Sequence, residues 1–370
     1  MICEIEFMPV GTGSKAGDAI ILRYGTPVDF KLMLIDGGTA DTGDEIVAHL
    51  RKHFGLGAKL EHVVLTHSDA DHASGLRTVL AQIPVDNLWL HVPWLLAPEV
   101  KHLFADTRWT PLGLQTAVKK EYDIIGEIVD LALARRVTIN QPFQGQNIGP
   151  FHVLSPSRAV YLHLLPQFEK TPDPDQTAIE AASMWLGKAS FIGRLVEAAR
   201  SKVENWTTET WAQERLRDGG QTSASNESSV VLYGAFENEQ RVLLTGDAGV
   251  NALTWSADYA VRVGLPLQRF TFVQIPHHGS RRNVGPTVLT RLLGPVQPEY
   301  ADPRFSAYVS APADDTNHPR KIVLNAFKRR GGIIIATQGS TKVHRGGFPM
   351  RTGYSSVDGL PFFTRVEEYS

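Results

Sequence analysis

Between Thr66 and His72 the chain places four metal-binding side chains, His67, Asp69, Asp71 and His72, within six residues, directly after the apolar run Val63-Val64-Leu65. An apolar β-branched run that stops abruptly at polar ligands predicts a buried strand opening into a loop. Loops at strand ends are where rigid scaffolds carry reactive groups. In extended backbone His67 and Asp69 share a face, as do Asp69 and Asp71, and a turn at Ala70–Asp71 brings His72 in from another direction. Imidazoles and carboxylates together hold one or two divalent ions, and a metal-activated water is the nucleophile such a site offers. A loop that only caps the following helix, through Asp71 or Ser74, needs one side chain and leaves both histidines without a role.

Two later segments repeat the design. Arg241-Val242-Leu243-Leu244 runs into Thr245-Gly246-Asp247, where Gly246 allows a sharp turn and Asp247 is placed to bridge two ions. Read alone, Asp247 is equally an N-cap for a helix from Ala248 onward. Phe272-Val273-Gln274-Ile275 runs into Pro276-His277-His278-Gly279-Ser280. Consecutive histidines point in different directions, so one of His277 and His278 is expected to ligate while the other packs or meets substrate. A structural histidine is the default for either alone, but three strand-end clusters in one chain favour a shared site.

With 370 residues the chain can bury a large core, and 42% hydrophobic with 21% charged residues describes an ordinary globular protein. A formal charge of −2 excludes a strongly basic nucleic-acid binder while leaving room for a local basic cleft. The single cysteine, Cys3, excludes an intramolecular disulfide framework and a cysteine-rich zinc site, so any metal must rest on His, Asp and Glu. Met1 to Phe7 alternates as a strand does and lacks the features of a signal peptide. No apolar stretch reaches membrane-spanning length. A cytoplasmic location without membrane partners is therefore expected.

Strand and helix patterns mix along the whole chain, which predicts an α/β layered domain spanning 1–370. Strands are expected at Glu4–Val10, Asp18–Tyr24, Lys31–Ile35, Asn87–Val92 and Phe151–Leu154, with a helix over Asp44–His53 and mainly helix across 97–136. Residues from about 157 to 220 differ, and predict a helical insertion running from Thr177 to about Arg217. It carries Trp185, Trp206 and Trp211 and ends in the linker Asp218-Gly219-Gly220. Aromatic rings there suit either a lid that stacks on bases or glue between the insertion and the body.

The order His-x-Asp-x-Asp-His (67–72), Gly246-Asp247, then His277-His278-Gly279-Ser280 resembles the metallo-β-lactamase superfamily. More narrowly it is similar to the hydrolase domain of ComEC-type competence proteins, in which an Asp, here Asp69, replaces the second histidine. Gly11-Thr12-Gly13 with Gly17-Asp18-Ala19-Ile20, Leu34-Ile35-Asp36-Gly37-Gly38, Asn226-Glu227-Ser228-Ser229 and Asn317-His318-Pro319 extend that resemblance from about residue 4 to 340. It implies a four-layer αββα sandwich with the metal site at one edge of the two central sheets. By motif position, His67, Asp69 and Asp247 would hold one ion, and Asp71, His72, Asp247 and His277 or His278 the second. The first set lacks the imidazole that many members place near Asn226 or Ser228. It is therefore carboxylate-rich and only partly occupied, with zinc or manganese as the expected ions.

These expectations add up to a metal-dependent hydrolase, a phosphodiesterase or nuclease acting on DNA or nucleotides. Asp71, His318 and Arg281 are its catalytic candidates, and Asn226, Ser228, Arg282 and Asn317 its substrate-binding candidates. Lys328-Arg329-Arg330 is read as a solvated charged face. An ester, lactone or thioester hydrolase would use the same core. A non-catalytic nucleic-acid-binding or sensing module on the same fold is the alternative of another class.

Overall fold

A computed structural model describes residues 1–13, 16–185 and 205–369. Its strands are β1 (Ile2–Phe7), β2 (Ile20–Gly25), β3 (Phe30–Ile35), β4 (Leu60–Val64), β5 (Val85–Trp89), β6 (Thr138–Asn140), β7 (Asn147–Ile148) and β8 (Phe151–Ser155). Then come β9 (Trp206–Thr208), β10 (Val231–Ala235), β11 (Arg241–Leu244), β12 (Phe272–Gln274), β13 (Phe305–Val309), β14 (Gly332–Ala336), β15 (Lys342–His344) and β16 (Arg365–Glu367). Two seven-stranded sheets result, ordered β15-β1-β2-β3-β4-β5-β6 and β14-β13-β12-β11-β10-β8-β7, with β16 and β9 pairing separately.

Side-chain alternation explains the layers. On β1, Cys3, Ile5 and Phe7 enter the core between the sheets, where they meet Ile20, Met33, Phe151, Leu232 and Phe272. Glu4 and Glu6 take the opposite face, and there the guanidinium of Arg351 pairs with both. Helices cover the outer faces: Ile46, Leu50, Leu76 and Leu80 pack on the first sheet, and Leu253, Leu289, Ile322 and Phe327 on the second. The architecture is thus the four-layer αββα sandwich.

Chain direction positions the site. β3 to β6 run parallel, and so do β11 to β14. The segments after β3, β4, β11, β12 and β13 therefore leave from strand C-termini, where α/β sheets gather their binding groups. The loop after β4 is tied to the second sheet: the Val230 amide, at the start of β10, donates to the Thr66 carbonyl at 3.0 Å. Gly246, at φ 50°, lies so close that a Cβ there would sit 2.9 Å from the Thr66 side chain.

The segment from 157 to 220 departs from expectation. Helices occupy Arg158–Leu164 and Gln176–Trp185, but the helical run expected to reach Arg217 does not. Its part over 186–204 lies outside the described residues. From 205 onward Trp206 is on β9, held in a ladder by β16, and no helix forms among 209–217. Tertiary pairing with the C-terminal strand overrides local helical propensity here. Trp206 lies under the Lys321 ammonium at 4.7 Å. Trp211 donates its indole N–H to the Gln297 carbonyl at 2.8 Å and packs on Phe362. Both rings act as glue onto the body. Among the described residues no helix is long and apolar enough to cross a membrane.

Candidate metal centre

Three strand-end segments, after β4, β11 and β12, bring His67, Asp69, Asp71, His72, Asp247 and His278 together. His67, His72 and Asp247 can each offer a ligand atom within 4.8 Å of the others, and Asp71, His72 and His278 form a second such group. Asp247 is central: its Oδ2 lies 3.5 Å from His72 Nε2, 3.6 Å from His277 Nδ1, and 4.0 Å from both His67 Nε2 and His278 Nε2. The Asn283 amide donates to the Asp247 carbonyl at 2.8 Å and fixes that loop.

The imidazoles are oriented from behind. Asp36, fully buried, accepts His72 Nδ1–H at 2.8 Å, the Thr66 hydroxyl at 2.7 Å and the Thr66 amide at 2.7 Å. Thr66 Oγ1 lies 3.0 Å from His67 Nδ1. His278 Nδ1–H donates to the Ser310 carbonyl at 3.1 Å. With each Nδ1 occupied, the Nε2 atoms of His67 and His72 turn inward, and both are buried with no hydrogen-bond partner, as is Asp247 Oδ1. Buried polar atoms left without partners are rare, and here they converge. A divalent cation satisfies all of them at once.

Backbone strain marks the same loops. Asp36 (φ 59°), His277 (φ 45°) and His278 (φ 54°) are left-handed non-glycine residues, a conformation that costs about 1–3 kcal/mol and persists where surrounding structure imposes it. The turn sends the two histidines apart. His278 joins Asp71 and His72, while His277 Nδ1 accepts the Asn226 amide at 2.8 Å.

Charge follows this geometry. Burial opposes ionisation of Asp247, but the surrounding imidazoles, His277 and His72 foremost, hold its carboxyl well below the usual range. Burial likewise works against a charged His72, yet the Asp247 and Asp36 carboxylates raise its pKa well above the ordinary histidine value. Asp69 is held down to about 2: partial burial resists, while His67 and the Ser225 hydroxyl outweigh it. Burial pushes His278 down to about 3, which leaves it neutral and its lone pair available.

The remaining candidates divide. Ser225, which the sequence reading passed over, donates its hydroxyl to Asp69 Oδ1 at 2.6 Å. Ser228 is buried and donates instead to the Ser225 carbonyl at 2.6 Å, so it shapes the loop and does not face the centre. Asn226 reaches His277, as described, and Thr222. His318 sits beside His277 with Nδ1 3.3 Å from Asp315 Oδ2. Asn317 donates its amide to Asp315 at 2.7 Å and leaves its side-chain oxygen buried without a partner. Arg281 points away, donating to the Glu368 carbonyl at 2.8 Å and lying 4.5 Å over the Tyr369 ring. Arg282 is exposed at the rim. Next to Asp69, a recess of about 240 Å³ is lined by Ser68, Tyr122, Phe168, Lys170 and Ser225.

Residues 28–131 match the family described as the metallo-β-lactamase superfamily. A search of curated proteins returned no match. Among solved structures, the chain is similar to zinc-bound PqqB from Methylobacterium extorquens at 13% identity, covering 92% of this chain and 99% of that one with a TM-score of 0.40. It is similar to a putative metallo-β-lactamase from Thermotoga maritima at 12% identity, covering 74% and 95% with a TM-score of 0.35. It is also similar to MEM-A1, a subclass B3 metallo-β-lactamase from a soil metagenome library, at 12% identity, covering 88% and 92% with a TM-score of 0.31.

Proposed function

We propose that this chain, whose residues 28–131 match the metallo-β-lactamase superfamily, is a metal-dependent hydrolase, a phosphodiesterase or nuclease acting on DNA or nucleotides. The observation that carries the reading is the convergence of buried, unpartnered ligand atoms from His67, His72 and Asp247. His67, Asp69 and Asp247 would hold one zinc or manganese ion, and Asp71, His72, Asp247 and His278 the other. Bound there, such ions lower the pKa of a water and stabilise the attacking and leaving oxygens of a phosphodiester. The oxygen-rich first set fits partial occupancy, with Ser225 restraining Asp69.

The chain's own groups divide the remaining work. Asp71 has no hydrogen-bond partner among the described residues and sits with His72 and His278, placed to take the nucleophile's proton. His318, held by Asp315 and within electrostatic reach of His277, would hydrogen-bond a substrate oxygen. Nucleic acid or a nucleotide is the partner in this reading, which agrees with the narrower likeness of the 67–72 motif to ComEC-type hydrolase domains.

The test is turnover of bis(p-nitrophenyl) phosphate, single-stranded DNA, a simple ester and a lactone by metal-loaded protein. Metal-dependent phosphodiester cleavage, lost in Asp71→Ala and His72→Ala with the fold intact, is expected. Ester or lactone turnover alone would move the assignment to a small-molecule hydrolase. Full metal loading with no turnover at all would move it to a binding or sensing module.

A further inference from the structure

Arg281, one of the catalytic candidates, is committed to the C-terminal segment through Glu368 and Tyr369. Arg320 is not committed in this way through its side chain. Its backbone amide donates to the Gly279 carbonyl at 3.2 Å, and Pro319 packs so closely on Gly279 that a Cβ there would meet it at 2.8 Å. The residue is thereby pinned against the turn that carries His277 and His278. Its half-buried guanidinium makes no hydrogen bond or ion pair with any described residue.

The carboxylates that could neutralise it have other work. Asp315 accepts from the Asn317 and His318 amides and from His318 Nδ1. Glu367 accepts the Lys321 and Ile322 amides at 2.9 and 3.1 Å. Burial, with the nearby Arg281 and Arg282 charges, lowers the Arg320 pKa, while the Glu367 and Asp315 carboxylates act the other way without bonding to it. A guanidinium held so, beside His318 and through it His277, has the fork geometry that binds a phosphate with two parallel hydrogen bonds.

We infer that Arg320, with the exposed Arg282 beside it, forms an oxyanion-binding subsite next to the metal centre and holds a phosphate group of the substrate on its His277–His318 side. Arg281 only anchors the C-terminal segment. The identity of the substrate as a phosphodiester rests on the proposed function; the anion subsite itself does not.

Calorimetric titration of metal-loaded protein with inorganic phosphate separates the two. Arg320→Ala is expected to weaken phosphate binding about 10- to 100-fold, as loss of a charge-assisted pair predicts, with metal content unchanged. Arg320→Lys should fall between, because it restores charge without the fork. The distant surface variant Arg108→Ala should match wild type. Should Arg320→Ala fail to fold, Arg320→Gln keeps the stem and carries the comparison. Equal phosphate affinity in wild type and the Arg320 variants, or no phosphate binding by wild type, overturns the subsite. Weakened phosphate binding in a protein that cleaves no phosphodiester keeps the subsite and removes the phosphodiesterase reading.

Discussion

At the scale of single residues, Asp36 controls the centre without joining it. Its Oδ2 accepts the His72 Nδ1 proton and leaves Nε2 bare toward Asp247. In Asp36→Asn an amide nitrogen in that place would donate to Nδ1 and move the proton to Nε2, where a ligand lone pair is needed. Metal affinity should fall about 10- to 100-fold, the usual effect of losing such a partner, measured by competition with a chromogenic chelator. Unchanged affinity would remove Asp36 from this role. Asp247→Ala should go further and lose most bound metal, since both ligand groups adjoin it; stoichiometric metal in that variant, by elemental analysis, would exclude it as the bridge. The raised pKa of His72 sets a pH dependence. In metal-free protein its charged pairing with Asp247 and Asp36 stabilises the fold below about pH 6.5, the ordinary histidine value, and is lost as pH rises through the raised folded pKa. Metal must displace that proton, so metal binding near neutral pH should release protons and weaken as pH falls. Calorimetry in buffers of different ionisation enthalpy measures this, and zero net release would contradict it. The side chains that converge here were legible because chemistry-bearing residues cluster after apolar runs. Ser225 and the role of Asp36 were not, because their partners lie far away in sequence and only the fold brings them near.

At the scale of elements, apolar strands of four or more residues were readable and most shorter ones were not. Phe151–Ser155 and Arg241–Leu244 stand where alternation and β-branching place them. Strands of two or three residues, such as Asn147–Ile148 and Lys342–His344, carry too little pattern to be seen. Asp247 shows what a single motif cannot decide. As a helix cap its carboxylate would turn toward the helix amides, yet helix Val250–Arg262 is capped by Glu227, which accepts the Ala252 amide at 2.6 Å and the Asn251 amide at 3.3 Å. A buried carboxylate from the opposite side of the loop thus frees Asp247 for the centre. Glu227→Ala should lower unfolding free energy by about 1–3 kcal/mol, the cost of leaving buried amides unmet, read in urea titrations. A change under about 0.5 kcal/mol, the level of an unremarkable surface substitution, would show that water satisfies this helix end.

At the scale of the whole molecule, the basic run Lys328-Arg329-Arg330 overturns its reading as a solvated face. Arg329 and Arg330 are buried. Arg329 pairs with the equally buried Glu209 at 3.0 Å and donates to the carbonyls of Trp211 and Gln213 at 3.0 and 3.2 Å and to that of Thr210. Arg330 pairs with Glu214 at 2.8 Å. Composition marks arginines as surface residues by default, and only the return of residues 205–217 across the second helical layer gives these two partners. The pairs therefore fasten the segment after the undescribed stretch, and with it β9 and β16, to the body. Removing one member of a buried pair leaves the other uncompensated, which costs about 3–5 kcal/mol. Arg329→Ala should destabilise by that amount and expose 205–217 to proteolysis, with metal retained by the protein that remains folded. The double variant Glu209→Gln/Arg329→Met, which leaves no lone charge, should be more stable than Arg329→Ala. Urea unfolding and limited proteolysis of both variants decide the matter: equal stability of wild type and Arg329→Ala would show that strand pairing and the two tryptophans alone hold the segment in place.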